Sequence, residues 1–169
     1  SPTASLHFTK KLIKNLKIKK VNFINITLHV NGGTFLPIKT RNIEDHKMHS
    51  ELGEISEDSA NRINKVKENG GRIIAVGTTV LRILESSKNS NGQILPFKGE
   101  TNIFLKPGCF INTVDGIITN FHTPKSSLLL LVFALLGKEK TLNLYNYAIK
   151  NRLRFFSYGD ACLIWNKYG

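Results

Sequence analysis

The run Arg72, Ile73, Ile74, Ala75, Val76 is followed at once by Gly77, Thr78 and Thr79, and then by Val80, Leu81, Ile83 and Leu84. A short β-branched apolar run reads as a buried strand, and apolar residues recurring at helical spacing after a glycine turn read as a helix. A strand that turns directly into a helix has few places to bury both apolar faces, and α/β layering is the common one. The same alternation extends to both sides. Ser56 is positioned to cap a helix over 56–69, with Glu57 and Asp58 in its first turn and Gly70 and Gly71 ending it. Strands are predicted over 101–105, 116–120 and 161–165, helices over 126–136 and 141–152, and a polar loop over 87–99. The order implies an α/β fold with a mixed or largely parallel sheet and flanking helices; strand order is not readable from it.

Upstream, residues 6–20 mix lysines with apolar residues in a pattern compatible with a helix that exposes one basic face. Residues 21–30 read as a strand that Gly32, Gly33 and Pro37 turn into a loop. With 169 residues and 41% hydrophobic content, one ordinary core is expected. The apolar run 128–136 is far shorter than the roughly 20 residues of a membrane span, so it is expected to be a buried helix and no membrane partner is implied. Ser1, Pro2, Thr3 and Ala4 do not resemble a secretory signal, and Cys109 and Cys162 have neither zinc-ligand nor disulfide-framework spacing. A cytoplasmic location without a metal is expected. The formal charge of +12 points to a polyanion such as RNA, while a residue usage biased toward Lys, Asn and Ile explains it equally well.

Four clusters carry candidate chemistry. Gly77, Thr78 and Thr79 at a helix start suit a carboxylate or phosphate, with Arg82 one turn on; the plainer reading is that Thr78 caps the helix. Asp45, His46, Lys47, Met48, His49, Ser50 and Glu51 supply imidazoles and carboxylates for acid-base work, both rings sharing a face only if the segment is helical. Asn120 and His122 close a strand, where polar side chains line crevices in α/β sheets; a packed His122 is equally compatible. Arg154, Phe155, Phe156, Ser157, Tyr158, Gly159 and Asp160 combine stacking rings, a guanidinium and a carboxylate, a mixture suited to a base or nucleoside.

In this order, with Pro2, Thr3, Ala4, Leu6, His7 and Phe8, then Thr27, Leu28, His29, Val30, Gly33, Thr34 and Phe35, the segments resemble the signature blocks of the queuosine ribosyltransferase-isomerase family. Leu84, Glu85 and Ser86, Pro107 and Gly108, Val114 and Asp115, and Thr119, Phe121, Pro124 and Ser126 continue the likeness to about residue 164. Ser5 and Asn31 stand where the family usually has glycine, and Leu52 where an aromatic is common.

The resemblance implies that residues 1–169 form the C-terminal part of an α/β catalytic domain, a partial copy of a larger two-domain fold whose N-terminal region and inserted β-rich domain are not included. It implies transfer of the ribosyl moiety of S-adenosylmethionine, a consumed co-substrate, onto 7-aminomethyl-7-deazaguanine at the tRNA wobble position, giving epoxyqueuosine. His46, His49 and Glu51 would handle protons, Gly77, Thr78, Thr79 and Arg82 the methionine end, and Asn120 and His122 the donor's surroundings. Arg154, Tyr158 and Asp160 would hold the modified base. The partners are then tRNA, S-adenosylmethionine and a separate N-terminal complementing chain, with activity not expected from this chain alone. A noncatalytic RNA-binding remnant is the alternative, and a methyltransferase is disfavoured by the absence of a glycine-rich nucleotide loop.

Overall fold

The computed structural model describes residues 3–29, 38, 40 and 42–167. A 3-10 turn, Thr3–His7, leads into α1 (Lys10–Ile18), whose N-cap Thr9 accepts the Leu12 N–H at 3.2 Å. Next come β1 (Thr27–His29), a 3-10 turn at Ile43–Asp45, β2 (Glu51–Ile55) and α2 (Glu57–Glu68). The strand-turn-helix unit is β3 (Ile74–Val76) and α3 (Thr78–Ser87). After β4 (Phe97–Thr101) and β5 (Gly116–Asn120) the chain forms α4 (Ser127–Leu136), α5 (Lys138–Lys150) and β6 (Ala161–Trp165).

The α/β class with a mixed sheet and flanking helices holds, but the strands divide between two sheets. One is antiparallel, β1-β2-β4; the other is mixed, β3-β5-β6, with β3 parallel and β6 antiparallel to β5. Helix α3 lies against both, touching β3 and β5 of the mixed sheet and β4 of the antiparallel one. Ile83 of α3 presses on Gly53 of β2 so closely that a Cβ there would sit 2.3 Å from Ile83 Cδ1. Leu81 and Ile83 of α3 are buried in one continuous core with Ile55 of β2 and with Ile117, Leu131, Leu135 and Ile164, so α3 bridges the two sheets. The apolar run is α4, whose Leu128, Leu131, Val132, Ala134 and Leu135 are buried. No helix among the described residues is long and apolar enough to cross a membrane.

Boundaries shift for identifiable reasons. The strand expected over 21–30 is regular only at Thr27–His29, with Val30, Gly32, Gly33 and Pro37 outside the described residues. Further back its backbone is held by α2: Ser59 Oγ donates to the Asn25 carbonyl at 3.1 Å and Arg62 Nη2 to that of Phe23 at 3.2 Å. The strand expected over 101–105 lies earlier, at Phe97–Thr101, in register with β2, Ile55 opposite Phe97 and Glu51 opposite Thr101. β2 itself escapes sequence reading because its inward positions are Glu51, Gly53 and Ile55, which break the apolar alternation a strand normally shows. The helix expected over 141–152 begins earlier, at Lys138, since Gly137 (φ 85°) ends α4 and starts α5 at one residue. Ser56 and Gly70 (φ 71°) bound α2 as expected.

Candidate functional site

Parallel pairing of β3 with β5 sets the carboxyl ends of both strands side by side, where open α/β sheets place ligands. Gly77 ends β3 with φ 103°, a conformation that favours glycine, and its N–H donates to the Ile118 carbonyl of β5 at 2.9 Å. Gly77, not Thr78, occupies the cap position of α3, and it forms no side-chain cap bond. Thr78 and Thr79 are the first helical residues and both are buried.

Two residues beyond Ile118, the buried Asn120 ties three segments together. Its Nδ2 donates to the Gly159 carbonyl at 3.1 Å and lies 3.5 Å from His7 Nε2, while its Oδ1 accepts from Thr3 Oγ1 at 3.1 Å. The N-terminal 3-10 turn, the end of β5 and the loop over 154–160 therefore meet at one amide. That loop closes on itself. Asp160 accepts the Arg154 N–H at 2.7 Å and its guanidinium at 3.0 Å, and the Asp160 N–H returns to the Arg154 carbonyl at 2.8 Å. The Arg154 hydrogen bond holds the Asp160 carboxyl below the usual carboxylate range. Gly159 is packed so tightly that a Cβ would come within 2.3 Å of the Arg154 carbonyl oxygen. Tyr158 at the loop tip is 89% exposed.

His122 is half-buried, with Nε2 3.0 Å from Thr119 Oγ1 and its backbone N–H donating to the Tyr145 hydroxyl at 3.0 Å. Burial lowers the His122 pKa from 6.5 to about 4 and pushes Tyr145 up to about 12. The ring is therefore neutral near pH 7. In the unfolded chain it protonates near 6.5, so its contribution to stability is fully present above that pH and declines as pH falls toward 4. The urea midpoint is expected to drop over that window, and His122→Gln to flatten the drop; an unchanged slope would assign it to other groups.

The acidic and histidine-rich segment is not helical. His46 closes the 3-10 turn, its N–H donating to the Ile43 carbonyl at 3.2 Å, and residues 46–50 are not helical, so the two rings do not share a helical face. The half-buried His46 packs edge-on against Phe104, centroids 5.3 Å apart, and His49 is exposed. Glu51 is fully buried and its Oε2 accepts from Nη1 of the equally buried Arg82. Arg82 also donates through Nε to the Ile103 carbonyl at 3.1 Å and through Nη2 to the carbonyls of His49 at 3.4 Å and Thr101 at 3.5 Å. Burial pulls the guanidinium below its ordinary pKa, and Glu51 opposes the shift.

The structure thus gathers the candidates into an Arg82–Glu51 group that holds the His49 backbone, an Asn120 group, an Arg154–Asp160 clasp and a His122–Tyr145 group. Helix α3 spans the first two, beginning at Thr78 beside the strand ends and carrying Arg82 one turn on. Sequence reasoning did not select Thr3, His7 or Tyr145 for the site, and it read Gly159 only as part of the 154–160 cluster. For His7 and Thr3 a signal existed, since both lie in the quoted N-terminal blocks. No three His, Cys, Asp or Glu side chains converge as a metal set among the described residues.

Comparison with known proteins places the chain in a family. The family model described as queuosine biosynthesis protein matches residues 1–164. The S-adenosylmethionine:tRNA ribosyltransferase-isomerase of Carboxydothermus hydrogenoformans is 54% identical over 164 residues, covering 97% of this chain and 48% of that protein. The Zymomonas mobilis protein of the same name is 52% identical over 167 residues, covering 99% of this chain and 49% of its own. A crystal structure of S-adenosylmethionine tRNA ribosyltransferase from Thermotoga maritima superposes with a TM-score of 0.79 at 38% identity, over 95% of this chain and 51% of that one. The chain spans about half the length of these relatives and aligns along nearly all of its own, so it belongs to the queuosine biosynthesis protein family.

Proposed function

We propose that residues 1–169 form the C-terminal part of the α/β catalytic unit of an S-adenosylmethionine:tRNA ribosyltransferase-isomerase. The reaction would move the ribosyl moiety of S-adenosylmethionine onto the aminomethyl group of a 7-deazaguanine at the tRNA wobble position, releasing adenine and methionine. The observation that carries this reading is the meeting, at the carboxyl ends of β3 and β5, of the α3 N-terminus with the Asn120 junction and the Arg154–Asp160 loop.

In this reading the methionine carboxylate lies at Gly77, Thr78 and Thr79, where the helix dipole and backbone N–H groups favour an anion. Arg82 and Glu51 act as a pair: Glu51 holds Arg82, and Arg82 holds the His49 carbonyl, fixing where that imidazole stands. His46 and His49 carry protons, taking one from the carbon made acidic by the adjacent sulfonium and giving one to the departing adenine. The neutral amine of the deazaguanine attacks the ribosyl unit. Asn120 and the uncharged His122 shape the pocket around the donor. Arg154, Asp160 and the exposed Tyr158 ring receive the base, stacking being the usual means of gripping a splayed nucleotide.

The test is adenine release from S-adenosylmethionine with tRNA carrying the aminomethyl-deazaguanine, using this chain alone and with an N-terminal fragment of the family. Release that requires the fragment is the expected result. No release in either mixture, from protein shown to be folded, would favour a noncatalytic RNA-binding remnant.

A further inference from the structure

Positive charge is distributed very unevenly along the chain. The first acidic residue is Glu44, and before it stand Lys10, Lys11, Lys14, Lys17, Lys19, Lys20, Lys39 and Arg41. A general bias toward lysine adds cations without removing carboxylates, so it does not explain an acid-free stretch of that length. Structure then sorts the charge. At 100° per residue, Lys17, Lys10, Lys14 and Lys11 of α1 fall within an arc of about 120°, opposite Leu12 and Leu16. All four are exposed. Lys10, Lys14 and Lys17 share one open face of α1 with Ile13 and Ile18. Among the described residues none of these lysines is paired with a carboxylate.

We infer that this arc of α1 is the phosphate-docking surface for an RNA backbone. Lysines three and four residues apart on a helix have Cβ atoms roughly 5–6 Å from one another, so their flexible stems can bring the ammonium groups to successive phosphates, and unpaired they release counterions on contact. Ile13 and the exposed Ile18 put apolar surface beside the lysines, which suits the sugar edge between phosphates. Position in the chain gives the surface a direction: α1 begins three residues after His7, whose ring reaches Asn120. An RNA lying along α1 is therefore delivered to the strand ends, where Tyr158 and Arg154 are exposed. The inference deepens the proposed function by assigning its RNA a contact surface, and its test needs no turnover.

The experiment measures binding of the full chain to a fluorescent unmodified tRNA and to an unrelated RNA hairpin duplex between 50 and 300 mM salt. The triple variant Lys10→Ala, Lys14→Ala, Lys17→Ala is compared with Lys138→Ala, Lys140→Ala, Lys150→Ala, which removes the same charge from exposed positions of α5. The α1 variant is expected to bind both RNAs more weakly and to reduce the salt slope by about 3, roughly one per lost phosphate contact; the α5 variant should leave the slope unchanged. Circular dichroism checks that α1 persists. Equal losses in both variants would show a diffuse charge effect and overturn the assignment, as would binding of anionic vesicles or polyglutamate by the α1 surface with no RNA binding. RNA binding through α1 without adenine release in the complemented assay would leave this surface standing and remove the catalytic reading.

Discussion

Replacing Glu51 with Ala is expected to lower the unfolding free energy by about 3–5 kcal/mol, the cost of leaving one member of a buried ion pair uncompensated. Arg82 is 2% exposed and Glu51 fully buried, so neither charge recovers solvent when the other is removed. The pair also organises its surroundings. Arg82 satisfies the carbonyls of His49, Thr101 and Ile103, where β2 enters the sheet and β4 leaves it, so its loss removes these ties between both strand ends and α3. Arg82→Met should cost a similar amount, and the double variant Glu51→Leu, Arg82→Met should recover much of it, because an apolar pair of similar volume carries no desolvation penalty. Urea denaturation of the four proteins closes the cycle. Single-variant costs below about 1 kcal/mol would mean that the pair is solvated and does not brace the sheets.

Asn120→Ala should affect activity more than stability. It leaves the Gly159 carbonyl without its donor and Thr3 without its acceptor, a loss of about 1–3 kcal/mol for a buried unpaired group. Its larger consequence is positional. The 3-10 turn carrying His7 and the loop carrying Arg154, Tyr158 and Asp160 are both registered against β5 through this amide, and a displacement near 1 Å costs about 10²-fold in rate when groups must be held in a reactive geometry. The complemented adenine-release assay is therefore expected to show about a 10²-fold fall in turnover with S-adenosylmethionine saturating. A variant that loses stability as described but keeps full turnover would confine Asn120 to the fold.

Both predictions concern residues whose meaning changes between chain and fold. Arg82 and Glu51 are 31 positions apart, and nothing in either local pattern joins them. Glu51 stood in a polar cluster and read as acid-base material; the tertiary structure places it at an inward position of a strand, opposite a guanidinium. Asn120 was legible as the end of a strand. That Thr3 and His7 reach it across more than a hundred residues was not, since such contacts depend on how the N-terminal turn packs beside β5.

What the sequence determined by itself is local. Ser56 and Gly70 bound a helix because a hydroxyl satisfies orphan N–H groups and glycine tolerates a positive φ. The unit from Ile74 to Ser87 formed where apolar periodicity changes at Gly77, and the signature blocks gave the family. Tertiary structure alone decided the division into two sheets, the shift of the strand near residue 100, and which polar residues face one another. Each of those depends on pairing between distant segments, where register is set by the partner strand and the stability of a buried charge by the group packed against it.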